Sequence, residues 1–276
     1  MRIAPHSNDG CLGHLPHDHG SNFLTIAVLS DVHANFEALK TTVADARRRG
    51  ATRFYCLGDL VGYNALPHET LRLLRDLACE CIRGNHDVMA LEETEPCDGG
   101  PNARQAIRWT RSVLSQEEHR YLRDLPDHRL LDATTLLVHS ALDDPFRYLR
   151  SGSEFLAERH RIRERYPQVR VCFTGHTHRS AVVEITPDRV VRFHHNKQLP
   201  LQAASFYFVN PGSVGHPRDS DYRASYLIYD RQREAIVLRR VAYDRKRMLA
   251  ANARYGLHVD LGPSVLSHLV RRITSL

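Results

Sequence analysis

The chain has 276 residues, 42% of them hydrophobic, which is enough to bury one large core, so one globular domain is expected rather than two. No apolar stretch approaches the roughly 20 residues that span a bilayer, and the first residues lack a charged start followed by a long apolar run, so a membrane protein is excluded and a cytoplasmic one expected. The net charge of +6 comes from scattered arginines, clustered only at Arg47–Arg49, Arg239–Arg240 and Arg271–Arg272; without a basic stripe interleaved with aromatics, a nucleic-acid partner is not expected.

Residues 1–22 are rich in Gly, Pro, His and Asp and have no periodicity, which predicts a disordered tail, with His6, His14, His17 and His19 able to catch metal adventitiously. From Phe23 onward, short apolar runs alternate with polar clusters. "LTIAVLS" reads as a buried strand. "NFEALKTTVADARRRG" reads as a helix: Phe36, Leu39, Val43 and Ala46 recur at helical spacing, Asn35 suits its cap, and Arg47–Arg49 with Gly50 suit its negative end and stop.

The same event recurs in "TRFYCLGD", "ACECIRGNHD", "TTLLVHS" and "VRVCFTGHTH", where an apolar run ends in Asp, Asn or His. In an α/β fold the loops at the carboxyl ends of strands share one rim, so these residues can converge. "QAIRWTRSVLSQEEHRYLRDLP" has helical periodicity, with Ser115 and Glu118 forming the S-x-x-E pattern that opens a second helix. Beyond Arg179, "SAVVEI", "RVVRFHH", "SFYFVN", "RASYLIYD" and "EAIVLRRVAYD" predict a second, mostly antiparallel sheet, and "RKRMLAANARYG" and "PSVLSHLVRRI" predict closing helices. Cys56, Cys81 and Cys172 lie in apolar segments, where a reduced thiol behaves as a small hydrophobe. The Cys79–Cys81 pair has no second pair at metal-ligand spacing and reads as ordinary strand.

Taken singly, most of the polar strand-end residues have ordinary explanations. Asp31 can cap the following helix and His33 can lie on the surface; Asp59 is a good turn residue; Asn85, His86 and Asp87 can form a tight turn; His139 can be a satisfied core histidine. His176 and His178, one residue apart in "FTGHTHRS", are harder to bury unless something coordinates them.

Jointly, the order D-x-H, G-D, G-N-H-D, lone H and G-H-x-H resembles the calcineurin-like metallophosphoesterase superfamily, from Phe23 to about Asp244. "SDVHANFEAL", "GDLVGY", "NPGSVGHPR" and "VAYD" are similar to its compact bacterial and archaeal phosphodiesterase group. The resemblance implies one α/β domain over residues 23–276, a four-layer αββα sandwich of two mixed sheets packed face to face with flanking helices, closed by C-terminal helices from about residue 245.

It also implies two divalent transition-metal ions, manganese first, with iron, zinc or nickel as alternatives that a mixed carboxylate, amide and imidazole set would accept. Asp31, His33 and His178 would hold one ion, Asn85, His139 and His176 the other, and Asp59 both. The implied activity is hydrolysis of small phosphodiesters by a dinuclear-metal-activated hydroxide, with a phosphomonoesterase or nucleotide-polyphosphate hydrolase as the alternative. A nuclease or a non-catalytic interaction scaffold stands behind these, and the partner is a small phosphodiester or nucleotide. A homo-oligomer is compatible with the resemblance, although no stretch specifies an interface.

His86 would act as general acid on the leaving oxygen, with Asp87 holding its imidazole in the useful tautomer. In "NPGSVGHPR", Gly212 and Gly215 would let backbone approach a ligand, and Ser213, His216 and Arg218 would contact phosphate; a purely structural loop is the alternative. Two departures stand out. Protein phosphatases of the superfamily continue the second motif as G-D-x-V-D-R-G, whereas "GDLVGYN" lacks the arginine, and Ser140 follows the lone histidine where relatives often carry glycine.

Overall fold

A computed structural model describes residues 25–94, 100–194 and 198–258. The expected tail and the segment "PSVLSHLVRRI" lie outside them.

The first half is built from βα units. Strand β1 (Thr25–Leu29) leads to α1 (Phe36–Arg48), β2 (Arg53–Cys56) to α2 (Pro67–Asp76), and β3 (Glu80–Cys81) to α3 (Asn85–Leu91). Helices α4 (Pro101–Val113) and α5 (Gln116–Asp124) follow. Next come β4 (His128–Asp132), β5 (Thr135–Val138), α6 (Gly152–Arg165) and β6 (Val171–Phe173). The remainder is β7 (Ser180–Ile185), β8 (Val191–His194), β9 (Gln198–Pro200), β10 (Phe206–Pro211), β11 (Ala224–Asp230), β12 (Ala235–Val241) and α7 (Arg245–Arg254).

Local chemistry explains the helix limits. Asn35 accepts a hydrogen bond from the Ala38 amide at 3.1 Å, satisfying one orphan donor of α1, and Gly50 takes a left-handed φ of 83° just past its end. Ser115 and Glu118 form the reciprocal box: the Glu118 amide donates to Ser115 Oγ, and the Ser115 amide to the Glu118 carboxylate. Ser151 and Glu154 do the same for α6.

The strands form two six-stranded mixed sheets, ordered β3-β2-β1-β11-β12-β9 and β4-β5-β6-β10-β7-β8. Strands beyond Arg179 therefore do not make a sheet of their own. β11 pairs antiparallel with β1, setting Ala27 opposite Ile228, while β10 runs parallel to β6 and antiparallel to β7. The edges of β1 and β6 would otherwise carry unpaired backbone groups into the core, and these late strands satisfy them.

Side-chain alternation along each strand divides the core into three layers. Ile26 and Val28 point between the sheets, where they meet Tyr55, Phe173, Tyr207 and Val209. Ala27 and Leu29 point outward to Leu39, Val43 and Leu74 of α1 and α2. On the far side, Val138, Cys172 and Phe208 pack against Phe155 and Ile162 of α6. Burying each large apolar side chain contributes about 1.5–3 kcal/mol, and the two inner faces lock the sheets so that their loops share an edge.

Candidate metal centre

That edge carries the polar residues. β1, β2 and β3 run parallel in one sheet and β5 and β6 parallel in the other, so their carboxyl ends open together. Asp31 and His33 follow β1, Asp59 follows β2, Asn85 follows β3, His139 follows β5, and His176 and His178 follow β6. Backbone strain concentrates at these positions: Asp31, His33, Asp59, His176 and His178 all have φ between 49° and 64°, a region side-chain-bearing residues rarely occupy.

Asp31, His33, Asp59 and His178 are fully buried, and one ligand atom from each lies within 4.8 Å of the others. His33 Nε2 stands 3.0 Å from His178 Nε2, 3.5 Å from Asp59 Oδ2 and 4.0 Å from Asp31 Oδ1. His178 Nε2 is 3.3 Å from Asp31 Oδ1. A second group adjoins it: Asn85 Oδ1 lies 2.9 Å from His139 Nε2 and 3.0 Å from His176 Nδ1, and His139 Nε2 is 3.5 Å from Asp59 Oδ1. Asp59 thus turns one carboxylate oxygen to each group.

The tautomers decide what such a cluster can hold. His33 Nδ1 faces the Val61 carbonyl at 3.2 Å, His178 Nδ1 the His216 carbonyl at 2.6 Å, and His139 Nδ1 the Leu57 carbonyl at 2.7 Å. A carbonyl only accepts, so each Nδ1 carries a hydrogen, and in the neutral rings of His33 and His139 Nε2 is left to turn a lone pair inward. His176 is reversed: Nε2 donates to the Phe146 carbonyl at 3.2 Å and Nδ1 faces in. Burial holds His176 near a pKa of about 3 and pushes His33 and His139 below the usual imidazole range, so these three rings are neutral. The Asp59 Oδ2 atom is buried without a hydrogen-bond partner among the described residues. Inward lone pairs and a bare carboxylate oxygen so close together are mutually repulsive unless cations sit among them.

The carboxylates show the same imbalance. Burial opposes ionisation of Asp31, but His178 and the Ser30 hydroxyl outweigh it and hold the carboxyl well below its usual range. Burial, together with the charges of Asp31 and Asp87, pushes Asp59 well above that range. Two like charges in one dry pocket cannot both ionise at ordinary pH without a counter-charge, and a divalent ion supplies one.

Beside the ligand groups lies a cavity of about 250 Å³, walled in part by Asp59, Asn85, His86, Tyr63, Tyr148 and Arg218. His86 is in that wall; its amide donates to Asp59 Oδ1 at 2.8 Å, and its ring Nδ1 has no hydrogen-bond partner among the described residues. Burial, then the neighbouring His178 and Arg218, keep its imidazole well below the usual range. Asp87 does not hold that ring: its carboxylate accepts from the amides of Leu60, Val61 and Gly84 at 2.9, 3.2 and 2.9 Å. It organises the loops around Asp59, and burial raises its pKa to about 7 against those amides.

The later loop divides similarly. Ser213 is fully buried, donating to the Asp31 carbonyl and accepting from the His216 amide, both at 2.7 Å, so its hydroxyl is committed to bracing backbone. Gly215 approaches protein, not a ligand: a Cβ there would lie 1.8 Å from the Val32 carbonyl oxygen. His216 stacks on Tyr63, ring centroids 4.3 Å apart and planes within 6°. Arg218 does reach the cavity, donating to the hydroxyls of Tyr63 at 2.9 Å and Tyr148 at 3.2 Å. Tyr63 occupies the place where the phosphatase motif has arginine, so a guanidinium returns to that corner from a distant loop. The Ser140 hydroxyl donates to the Arg147 carbonyl and pins the loop that carries Tyr148.

Tyr63 and Tyr148 line the cavity yet have no signal of their own in the sequence. Tyr63 lies inside "GDLVGYN" and could have been found by asking what replaces the missing arginine; Tyr148 lies in an irregular loop and offers no such clue.

Residues 24–234 match a family model described as a calcineurin-like phosphoesterase superfamily domain. An uncharacterized protein of Methanocaldococcus jannaschii is 32% identical over 225 residues, which cover 80% of this chain and 89% of that protein. Among solved structures, a metallophosphoesterase from Sphaerobacter thermophilus is 32% identical with a TM-score of 0.72, over 86% of this chain and 96% of that one. A hypothetical protein from Pyrococcus horikoshii, 20% identical, shares the fold with a TM-score of 0.67 over 85% and 94% of the two chains.

Proposed function

The chain belongs to the calcineurin-like phosphoesterase superfamily, and from that premise we propose that it is a metal-dependent phosphodiesterase acting on small phosphodiesters. The observation that carries this reading is Asp59, whose two oxygens face two separate groups of inward-pointing ligand atoms. Asp31, His33 and His178 would hold one divalent ion, Asn85, His139 and His176 the other, and Asp59 both. The mixed nitrogen and oxygen donors suit manganese, with iron, zinc or nickel as alternatives, better than magnesium or calcium. Such ions supply Lewis-acid polarisation of phosphoryl oxygens and a lowered pKa for bound water.

The protein's own groups do the rest. Arg218, pre-oriented by two tyrosine hydroxyls, binds a non-bridging phosphoryl oxygen and fixes the diester against the ligand groups. His86 lines the same cavity and gives a proton to the departing oxygen; as burial disfavours its cationic form, the negative charge of the bound diester is what raises its proton affinity. Asp87 acts only by shaping the loops that carry Asp59 and His86. Room for a second ester arm beyond Tyr148 and Arg218 supports a diester over a monoester. We place the enzyme in the cytoplasm, where the buried thiols of Cys56, Cys81 and Cys172 stay reduced.

The test is hydrolysis of bis-p-nitrophenyl phosphate and p-nitrophenyl phosphate by metal-stripped protein, before and after Mn²⁺ is added. Restored turnover with preference for the diester is expected. Preference for the monoester moves the assignment to a phosphomonoesterase, and no turnover with Mn²⁺, Zn²⁺, Fe²⁺ or Ni²⁺ removes the hydrolytic reading.

A further inference from the structure

The metal-centre cavity does not end at Arg218. Tyr148 and Arg218 also wall a larger groove of about 510 Å³ that runs over the outer face of the second sheet, beside α6. Its apolar side is aromatic: Phe155 and Phe208 lie with ring centroids 5.1 Å apart, and Phe193, on β8, meets Phe155 at 6.1 Å. Phe193 is 52% exposed, an unusual position for a phenylalanine. At the junction, the ring centroids of Tyr148 and His176 lie 3.9 Å apart, and the Arg150 guanidinium sits over the Tyr148 ring, 4.6 Å from its centroid.

The polar lining is one-sided. Arg150, Arg179 and Arg218 border the groove, and among the described residues no aspartate or glutamate does. Among the described residues neither Arg150 nor Arg179 has a carboxylate partner for its guanidinium. The neutral polar groups are already used: Asn210 donates to the Gly175 carbonyl and to Thr177 Oγ1, Thr174 donates to the His139 carbonyl, and Ser140 to that of Arg147. A sugar would find few free hydrogen-bonding groups here, and an acyl chain has no use for three cations. What the groove offers is the exposed ring of Phe193 and planar guanidiniums, which suit a flat aromatic ring joined to anionic groups.

We propose that this groove seats one ester arm of the substrate and that the arm is a nucleotide, its base against Phe193 and its further phosphate beside Arg150 and Arg179. The proposal rests on the phosphodiesterase reading for what happens at the adjoining centre, but the groove's binding chemistry can be measured without turnover. Base stacking on an aromatic side chain is what distinguishes a nucleotide from its sugar phosphate, and it strengthens binding by about tenfold or more.

The experiment compares adenosine 5′-monophosphate with ribose 5-phosphate, by calorimetry on the metal-stripped full chain and by inhibition of bis-p-nitrophenyl phosphate hydrolysis with Mn²⁺ present. The nucleotide is expected to bind at least about tenfold more tightly, and that advantage to shrink in Phe193→Ala and in Arg179→Gln, both surface changes that the fold tolerates. Equal affinity for the two probes, or an advantage untouched by both variants, overturns the proposal. Nucleotide preference without turnover of any diester leaves the groove standing and removes the hydrolytic reading; turnover without nucleotide preference does the reverse.

Discussion

His33 and His178 bring their Nε2 atoms to within 3.0 Å of each other while each already donates its Nδ1–H to a backbone carbonyl. With both Nδ1 atoms committed, the two Nε2 atoms are what remains to face a cation, and a metal ion between them would accept both lone pairs. The backbone carbonyls of Val61 and His216, one from each end of the chain's rim, therefore fix a site whose stability depends on what enters it.

Metal loading is accordingly expected to stabilise the fold. At about 100 times its dissociation constant, one bound ion contributes about 2.7 kcal/mol. For a chain of this size that raises Tm by about 5 °C or more, and a chelator should reverse it. Differential scanning calorimetry with and without Mn²⁺ checks this; an unchanged Tm would mean the cluster binds no ion.

His86→Gln separates proton donation from the rest of the site. Loss of a positioned acid slows reactions by about 10²–10⁴ when the leaving oxygen is a poor leaving group. A dialkyl or alkyl–nucleoside diester should lose that much in kcat, whereas p-nitrophenolate needs little help and should lose less than about tenfold. Equal losses for both leaving groups would show that the His86 ring gives no proton and acts only as part of the cavity wall.

Arg218→Gln should raise KM for a diester more than it lowers kcat, because the guanidinium contacts phosphate in both ground and transition states. A charged hydrogen bond of about 1.5–3 kcal/mol corresponds to roughly a 10–150-fold change. Tyr63→Phe removes one of its two anchors and should have the same sign with a smaller size. Steady-state kinetics on the two variants test the order.

Asp45 supplies a pH test away from the centre. Burial alone would raise its carboxyl, but hydrogen bonds from Arg49 and the Tyr226 hydroxyl hold it below the usual range. A depressed folded-state pKa contributes stability that is full above the unfolded value of about 3.9 and is lost as pH falls through the folded value. Asp45→Asn should cost about 1–3 kcal/mol near pH 7, with the gap from the native chain closing as the pH drops below about 4. Urea unfolding across that range measures it.

How much of this was legible in the sequence depends on where each residue finds its partner. The strand-end residues Asp31, Asp59, Asn85, His139 and His176 stand out because each follows its own apolar run, and the parallel strands then bring the ends together. Asp87 and Ser213 looked like site chemistry because their side chains are polar, yet both are taken up by backbone amides or carbonyls supplied by loops remote in sequence. The late strands read as one sheet because β10 and β11 are almost wholly buried, and a uniformly apolar strand carries no alternation to say which neighbour it pairs with. Helices α2 and α6 have no place in the sequence account, although Pro67 at the start of one and the Ser151–Glu154 box of the other are recognisable opening signals. Arg218 meeting Tyr63 joins positions 155 residues apart, and no local pattern marks such a pair.

Whether Asp59 joins two metal positions is read by titrating metal-stripped protein with Mn²⁺ while recording electron paramagnetic resonance and bound-metal content, for the native chain and Asp59→Asn. Two ions per native chain with an exchange-coupled signal, and loss of both the coupling and at least one ion in the variant, is the predicted result. A single uncoupled Mn²⁺ in the native chain, or coupling that survives in Asp59→Asn, would contradict it.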